Sequence, residues 1–205
     1  MSPRNYRIGK RAAAVADTRA RIVQAARAVF AQDGFHRAAV EEVARRADVA
    51  RATVYYQFDS KLGLVGAVLD DIELRGEQER VIAALAHPDA VEATRRAFEE
   101  GSRFWAADHV LVRKLTGLAA ADPETRELIL ERDRNRLALI TRLAQRLAEQ
   151  QRLRPDCSVQ EAIQTLSLLS SFEAFDQLFT GHRLGADAVA GLLFGLVQRA
   201  LLQSP

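Results

Sequence analysis

Six side chains close together near residue 55 could share one kind of chemistry. Arg51, Thr53, Tyr55, Tyr56, Gln57 and Lys61 stand within eleven residues of one another. An arginine presents a planar fork of donors that matches the O6/N7 edge of guanine. Thr53 and Gln57 can offer hydrogen bonds to base edges or phosphates. Tyr55 and Tyr56 combine a flat face, for a sugar or a thymine methyl, with a hydroxyl that reaches phosphate. Lys61 at a helix start adds a cation to backbone N–H groups, a pairing that can hold one phosphate. The small Ala52 is counted with them. Such a set suits the edges and backbone of duplex DNA.

The elements that must position these residues read out of Val40–Lys61, VEEVARRADVARATVYYQFDSK. The pattern predicts a helix over 40–47 with Val40, Val43, Ala44 and Ala47 inward, then a tight turn. A second helix follows over 51–58, with Val54 and Phe58 inward at i, i+4. In a helix-turn-helix the second helix enters the major groove while the first crosses the backbone. Arg45 and Arg46 on the first helix, and an arm carrying Arg4, Arg7, Lys10 and Arg11, could add backbone or minor-groove contacts. Spacing alone also allows a small helical subdomain whose arginines and tyrosines merely decorate a surface.

Charge leans the same way. The net charge is +2, yet residues 1–66 carry 12 Lys/Arg against 6 Asp/Glu while residues 67–205 carry 17 against 21. A basic first third on an acidic remainder suggests that the N-terminal part faces a polyanion. The apolar stretches are short and interrupted by charge, so no membrane-spanning helix is expected. The N-terminus lacks the apolar core of a signal peptide, which makes a cytoplasmic location the default expectation. Cys157 is the single cysteine, so no intramolecular disulfide can form.

The 3.6-residue period recurs almost everywhere and no strand pattern is convincing, so the expected class is all-α with about nine helices. The first is expected from Thr18 to Gly34, with Ile22, Ala26, Val29 and Phe30 on one face. A fourth starts after an Asp59 or Ser60 cap. Others begin near Pro88 and Val110, and Asp122-Pro123-Glu124 opens a long one running towards Leu153. Its ERDRNR stretch is polar all round and reads as solvent-facing or lining a wet crevice. Ser158, with Glu161 as capping-box partner, starts a helix expected to reach Thr180. The last is expected over 185–202.

Residues from about Thr18 to Leu69 resemble the DNA-binding domain of the TetR family of transcriptional regulators. The segments that carry the resemblance are AARAVFAQDGF, VEEVARRADVA, TVYYQF and DSK. The layout of the remainder also resembles that family. The resemblance implies a three-helix DNA-binding domain over 1–62 and a ligand-binding, dimerising domain over 63–205. It implies a homodimer on a double-stranded, palindromic operator, and a repressor released by a small apolar or aromatic effector. The implied DNA contacts are Arg45, Arg46, Arg51, Ala52, Thr53, Tyr55, Tyr56, Gln57 and Lys61. The chain departs from the family at several places. Asp48 stands where the turn usually has Gly, and Ala38, Ala39 and Ala50 stand where Ser or Thr usually precede the second and third helices. Gln57 replaces a usual His.

Apolar residues on more than one face of 162–179, with a stripe along 189–201, suit a helical bundle across a two-fold axis. The expected interface residues are Leu166, Leu169, Leu192, Leu193, Leu196 and Val197. Phe98, Phe104, Trp105, His109, Phe172 and Phe175 could line an apolar effector cavity or could be plain core. An enzyme is the competing class. The four histidines are scattered, and HExxH, P-loop and GxSxG patterns are missing. The chain is therefore read as no enzyme, with no metal and no cofactor. An architectural DNA-binding dimer without an effector is a further alternative.

Overall fold

A computed structural model describes the backbone of residues 3–33 and 39–203, and the side chains of residues 13–32 and 39–203. Gly34 and Ala38 lie outside the described residues, and so do the side chains of Arg4, Arg7, Lys10 and Arg11. Among the described residues there are eleven α-helices and one π-helical turn, Gln177–Gly181, with no strand beyond a single antiparallel bridge between Leu153 and Leu202.

Packing divides the chain into two compact units. One comprises Met1–Ile72 with Val110–Leu128, the other Glu73–His109 with Ile129–Pro205. The first holds α1 (Pro3–Asp33), α2 (Ala39–Arg46), α3 (Arg51–Phe58), most of α4 (Lys61–Arg75) and α7 (His109–Ala121). Helix α1 begins well before the expected Thr18. Proline suits a first helical position, and the following RAAAVA run is rich in alanine, the strongest helix former. Thr18 is no cap: its hydroxyl donates to the Ala14 carbonyl at 2.9 Å, in mid-helix.

Over α1 to α3 the core is the one the period predicts. Ile22, Ala26, Val29 and Phe30 are buried on α1, as are Val40, Val43, Ala44 and Ala47 around α2 and Val54 and Phe58 on α3. On α4, Leu64, Val65, Val68 and Ile72 are buried, while Leu62 is half-buried. Leu111, Leu115 and Ala119 of α7 are buried as well.

The second unit contains α5 (Gln78–Leu85), α6 (Ala90–Ala107), most of α8 (Pro123–Glu149), α9 (Val159–Leu169), α10 (Phe172–Asp176) and α11 (Ala186–Leu201). Two differences from the expected nine helices arise here. Helix α5 has no counterpart in the sequence reading. The single helix expected from Ser158 to Thr180 is broken at Ser170-Ser171, where Ser171 takes an extended conformation (φ −70°, ψ 157°) and caps α10 through the Ala174 N–H. Serine competes with the helix by bonding local backbone groups, which is why a Ser-Ser pair can interrupt it. The Ser158–Glu161 capping box is present. Helix α8 ends at Glu149, short of Leu153, because Gln151 takes a left-handed conformation (φ 54°) and Leu153 then pairs with Leu202. ERDRNR is not wholly solvent-facing: Arg132 pairs with Glu73 at 3.1 Å, both partly buried.

Candidate nucleic-acid interface

The turn between α2 and α3 is closed by backbone bonds. The Asp48 N–H donates to the Arg45 carbonyl at 3.3 Å and the Val49 N–H to the Ala44 carbonyl at 3.0 Å. That is the Schellman pattern, with Asp48 left-handed at φ 53° in the place a glycine usually fills. Aspartate tolerates this conformation better than most residues. Ala50 then stands at the N-cap of α3 (φ −68°, ψ 148°) and, lacking an oxygen, makes no side-chain cap bond.

Two inward residues, Val54 and Phe58, fix the roll of α3 and turn the rest outward. Tyr56 is 83% exposed, the most exposed large apolar side chain among the described residues. Arg51 and Ala52 are also exposed, and Thr53, Tyr55 and Gln57 are half-buried. The end of α3 is held from α1. Arg19 Nη1 donates to the Gln57 carbonyl at 2.6 Å, and its guanidinium lies 4.3 Å from the Phe58 ring centre. Arg21 likewise donates to the Ala47 carbonyl at 3.1 Å, at the end of α2. Ser60 caps α4 by accepting from the Gly63 N–H at 2.9 Å, which places Lys61 in the first turn. Lys61 is half-buried, and its charge adds to the two Thr125 hydrogen bonds that hold the Asp122 carboxyl below its ordinary range.

The three arginines of this surface all meet carboxylates. Arg45 donates to both oxygens of Glu42, at 2.8 and 2.6 Å, and Arg46 donates to Glu42 at 2.6 Å and to Gln32 of α1 at 2.8 Å. First the Arg45 and then the Arg46 hydrogen bonds hold the Glu42 carboxyl down to about 2. Arg51 pairs with Glu41 at 2.8 Å, reaches the Tyr55 hydroxyl at 3.3 Å and lies 5.4 Å from the Tyr55 ring centre. The structure thus brings Arg51, Thr53, Tyr55, Tyr56 and Gln57 onto one short helix. Sequence reasoning missed Arg19, Arg21, Glu41 and Glu42. For Glu42 a signal existed, since Glu followed by Arg three and four positions on is the spacing of helical ion pairs.

In the second unit the aromatic residues form two groups. Trp105 meets Phe104 at 4.8 Å and Phe172 at 5.4 Å, while Phe179 stacks on Phe175 at 4.9 Å and meets His109 at 5.0 Å. Phe98, Phe172 and Phe175 are buried, whereas Phe104, Trp105 and His109 are half-buried. The Trp105 indole N–H donates to the Ser170 carbonyl at 3.3 Å, and Arg136 donates to the Ser167 carbonyl at 3.0 Å and the Ser170 hydroxyl at 2.7 Å. These two side chains satisfy polar groups left open where α9 breaks. A cleft of about 270 Å³ between α6 and α11 is lined by Arg95, Glu99, Arg103, Asp187, Ala190, Gly191 and Phe194, none of them from the aromatic set.

The six residues expected at a dimer interface divide sharply. Leu166, Leu193 and Val197 are buried within the chain itself, and Leu169 is half-buried. Leu192 (40%) and Leu196 (38%) are exposed on α11, and Leu168 (67%) is exposed on α9.

The sequence profile described as "Bacterial regulatory proteins, tetR family" matches residues 22–68, which takes in α2, α3 and their turn. The transcriptional regulator UidR of Escherichia coli is 34% identical over 71 residues, 35% of this chain and 34% of that protein. The regulator SrpR of Pseudomonas putida is 43% identical over 60 residues, 29% of this chain and 28% of that protein. The chain thus spans about a third of the length of the curated relatives it matches. Likeness in three dimensions runs further. NalD of Pseudomonas aeruginosa, the secondary repressor of the MexAB-OprM multidrug efflux pump, superposes with a TM-score of 0.71 at 26% identity, over 93% of this chain and 98% of that one. The outward-facing α3, the turn that sets it and these likenesses agree: residues 22–68 carry a DNA-binding domain similar to that of the tetR family of bacterial regulatory proteins.

Proposed function

We propose that the chain is a ligand-responsive transcriptional regulator, a repressor that binds a palindromic operator as a homodimer and leaves it when a small apolar or aromatic molecule binds. In this reading residues 1–62 read DNA, while residues 63–205 bind the effector and form the dimer. The observation that carries it is the face of α3: Tyr56 stands 83% exposed beside Arg51, Thr53, Tyr55 and Gln57, while Val54 and Phe58 anchor the helix from behind. A tyrosine so exposed offers a flat face and a hydroxyl suited to sugar, base and phosphate. Arg45 and Arg46 meet the backbone from α2, and Lys61 holds a phosphate from the first turn of α4.

Leu168, Leu192 and Leu196 support the dimer, because they are apolar, exposed and carried on α9 and α11. The aromatic groups around Trp105 and Phe175, beside a broken helix and a π-helical turn, support an effector site in the second unit. Single π turns occur often at functional sites. The effector acts by fitting one arrangement of the helices better than another, which the coupling of two sites requires. The regulatory roles of UidR, SrpR and NalD point the same way.

Selection of bound duplexes from a random DNA pool tests this reading. Recovered sequences should share a two-fold palindrome with half-site centres about 34–36 Å apart. Recovery of duplexes with no common sequence would overturn it.

A further inference from the structure

Between residues 39 and 58 the chain carries three arginines, Arg45, Arg46 and Arg51, against three carboxylates, Glu41, Glu42 and Asp48, so this stretch has no net charge. The Glu41–Arg51 pair differs from the others. It links α2 to α3, its two side chains are 47% and 58% exposed, and its cation is the one at the start of α3. Glu41 takes Nη1 of Arg51 at 2.8 Å and the Tyr55 hydroxyl takes Nη2 at 3.3 Å, with the ring beneath. A guanidinium has five N–H donors, so donors remain free on the side that Glu41 and Tyr55 do not occupy.

We propose that Glu41 is a positioning residue that sets the selectivity of Arg51, turning it towards neutral base edges and away from phosphate. This rests on the DNA-reading role of α3. A phosphate offers Arg51 only one anion in exchange for another, and it would sit beside the carboxylate it displaced. That exchange gains little, and like-charge repulsion opposes it. A guanine edge is neutral and takes two donor bonds. It can be added to the remaining donors while Glu41 keeps its pair, so the carboxylate also fixes the plane of the fork. Glu41 thereby lowers affinity for arbitrary duplex without lowering affinity for the right one.

The test compares wild type, Glu41→Gln, Arg51→Gln and the double variant on two probes. One probe is a random-sequence duplex, and the other is a duplex selected by the wild-type protein from a random pool. Each is titrated over a range of salt. Glu41→Gln is expected to raise affinity for the random duplex about two- to fivefold, the scale of an exposed ion pair. It should steepen the salt dependence there by roughly 0.9, one further phosphate contact. The ratio of selected to random affinity should fall by the same factor, and all three changes should vanish in the Arg51→Gln background. An unchanged ratio, or an equal rise without Arg51, would overturn the proposal, since Glu41 would then be a spectator or a plain repelling charge. If Arg51→Gln and Tyr56→Ala both leave the selected duplex bound as before, the DNA-reading face itself is wrong, and that outcome is separate from any behaviour of Glu41→Gln.

Discussion

The guanidinium of Arg19 lies 4.3 Å from the centre of the Phe58 ring while its Nη1 donates to the Gln57 carbonyl at 2.6 Å. One side chain of α1 thus holds the last turn of α3 by its ring and by its backbone. Each contact is worth about 1 kcal/mol at an exposed site. Arg19→Ala should lower unfolding stability by about 1–2 kcal/mol and weaken binding to a selected duplex. Arg19→Lys should recover only part of this, because an ammonium lacks the planar face. Urea unfolding of both variants checks it, and equal stability of all three proteins would contradict it.

Among the described glycines, Gly63 is one that the geometry requires. A Cβ built there falls well inside contact distance of the Phe58 carbonyl oxygen, which is backbone and cannot swing aside, whereas one built at Gly66 meets nothing within 4 Å. Gly63→Ala should therefore cost about 1–3 kcal/mol, the scale of overpacking. Gly66→Ala, on the same helix, should be neutral or stabilising by about 0.5–1 kcal/mol. Thermal unfolding should show a clear fall for Gly63→Ala and no fall for Gly66→Ala; a comparable fall in both would contradict this.

Ala50 leaves α3 without a side-chain cap although its backbone is already in the capping conformation. Ala50→Ser should stabilise the protein by about 0.5–2 kcal/mol and tighten its hold on DNA through a further hydroxyl at the helix N-terminus. A fall in midpoint in urea would show that the cap cannot form. At Asp48, where φ is 53°, glycine should be accepted, while Asp48→Val should cost about 1–2 kcal/mol.

How much of this was legible from sequence can be judged at these same positions. Val54 and Phe58 fixed the outward face of α3 through simple i, i+4 spacing, and Ser158 with Glu161 announced a cap that is present. The start expected at Thr18 was too late, because the alanine-rich stretch before it already carries α1 from Pro3, and the Thr18 hydroxyl bonds back to Ala14 in mid-helix. The Ser170-Ser171 break was hidden by an apolar pattern that continues straight through it. The return of residues 110–128 to the first unit, and the reach of Arg19 to Gln57, join segments far apart in the chain. No local periodicity records such packing.

Acid should weaken the first unit in a defined window. Hydrogen bonds from Arg45 and Arg46 hold Glu42 at about 2 against an ordinary 4.5. The folded pKa lies below the unfolded one, so the unfolded state binds more protons in between. The contribution is whole above 4.5 and is lost as the pH falls towards 2. Glu42→Gln should flatten the acid limb of stability over that window. Urea midpoints that fall with acid as steeply as in wild type would contradict this.

The exposed Leu192 and Leu196 give a direct test of the proposed dimer. Leu192→Glu should yield a monomer by sedimentation while the core, which holds Leu193 and Val197, stays folded. A variant that remains dimeric would move the interface off α11.

The proposed reading of duplex DNA by α3 is tested with least ambiguity at Tyr56, whose side chain is 83% exposed and contributes little to the fold. The measurement is affinity of Tyr56→Ala for a duplex selected by the wild-type protein, with thermal unfolding recorded alongside. An unchanged unfolding temperature is expected, with a loss of affinity of about tenfold, the scale of a base or sugar contact. Undiminished affinity in a fully folded variant would contradict it.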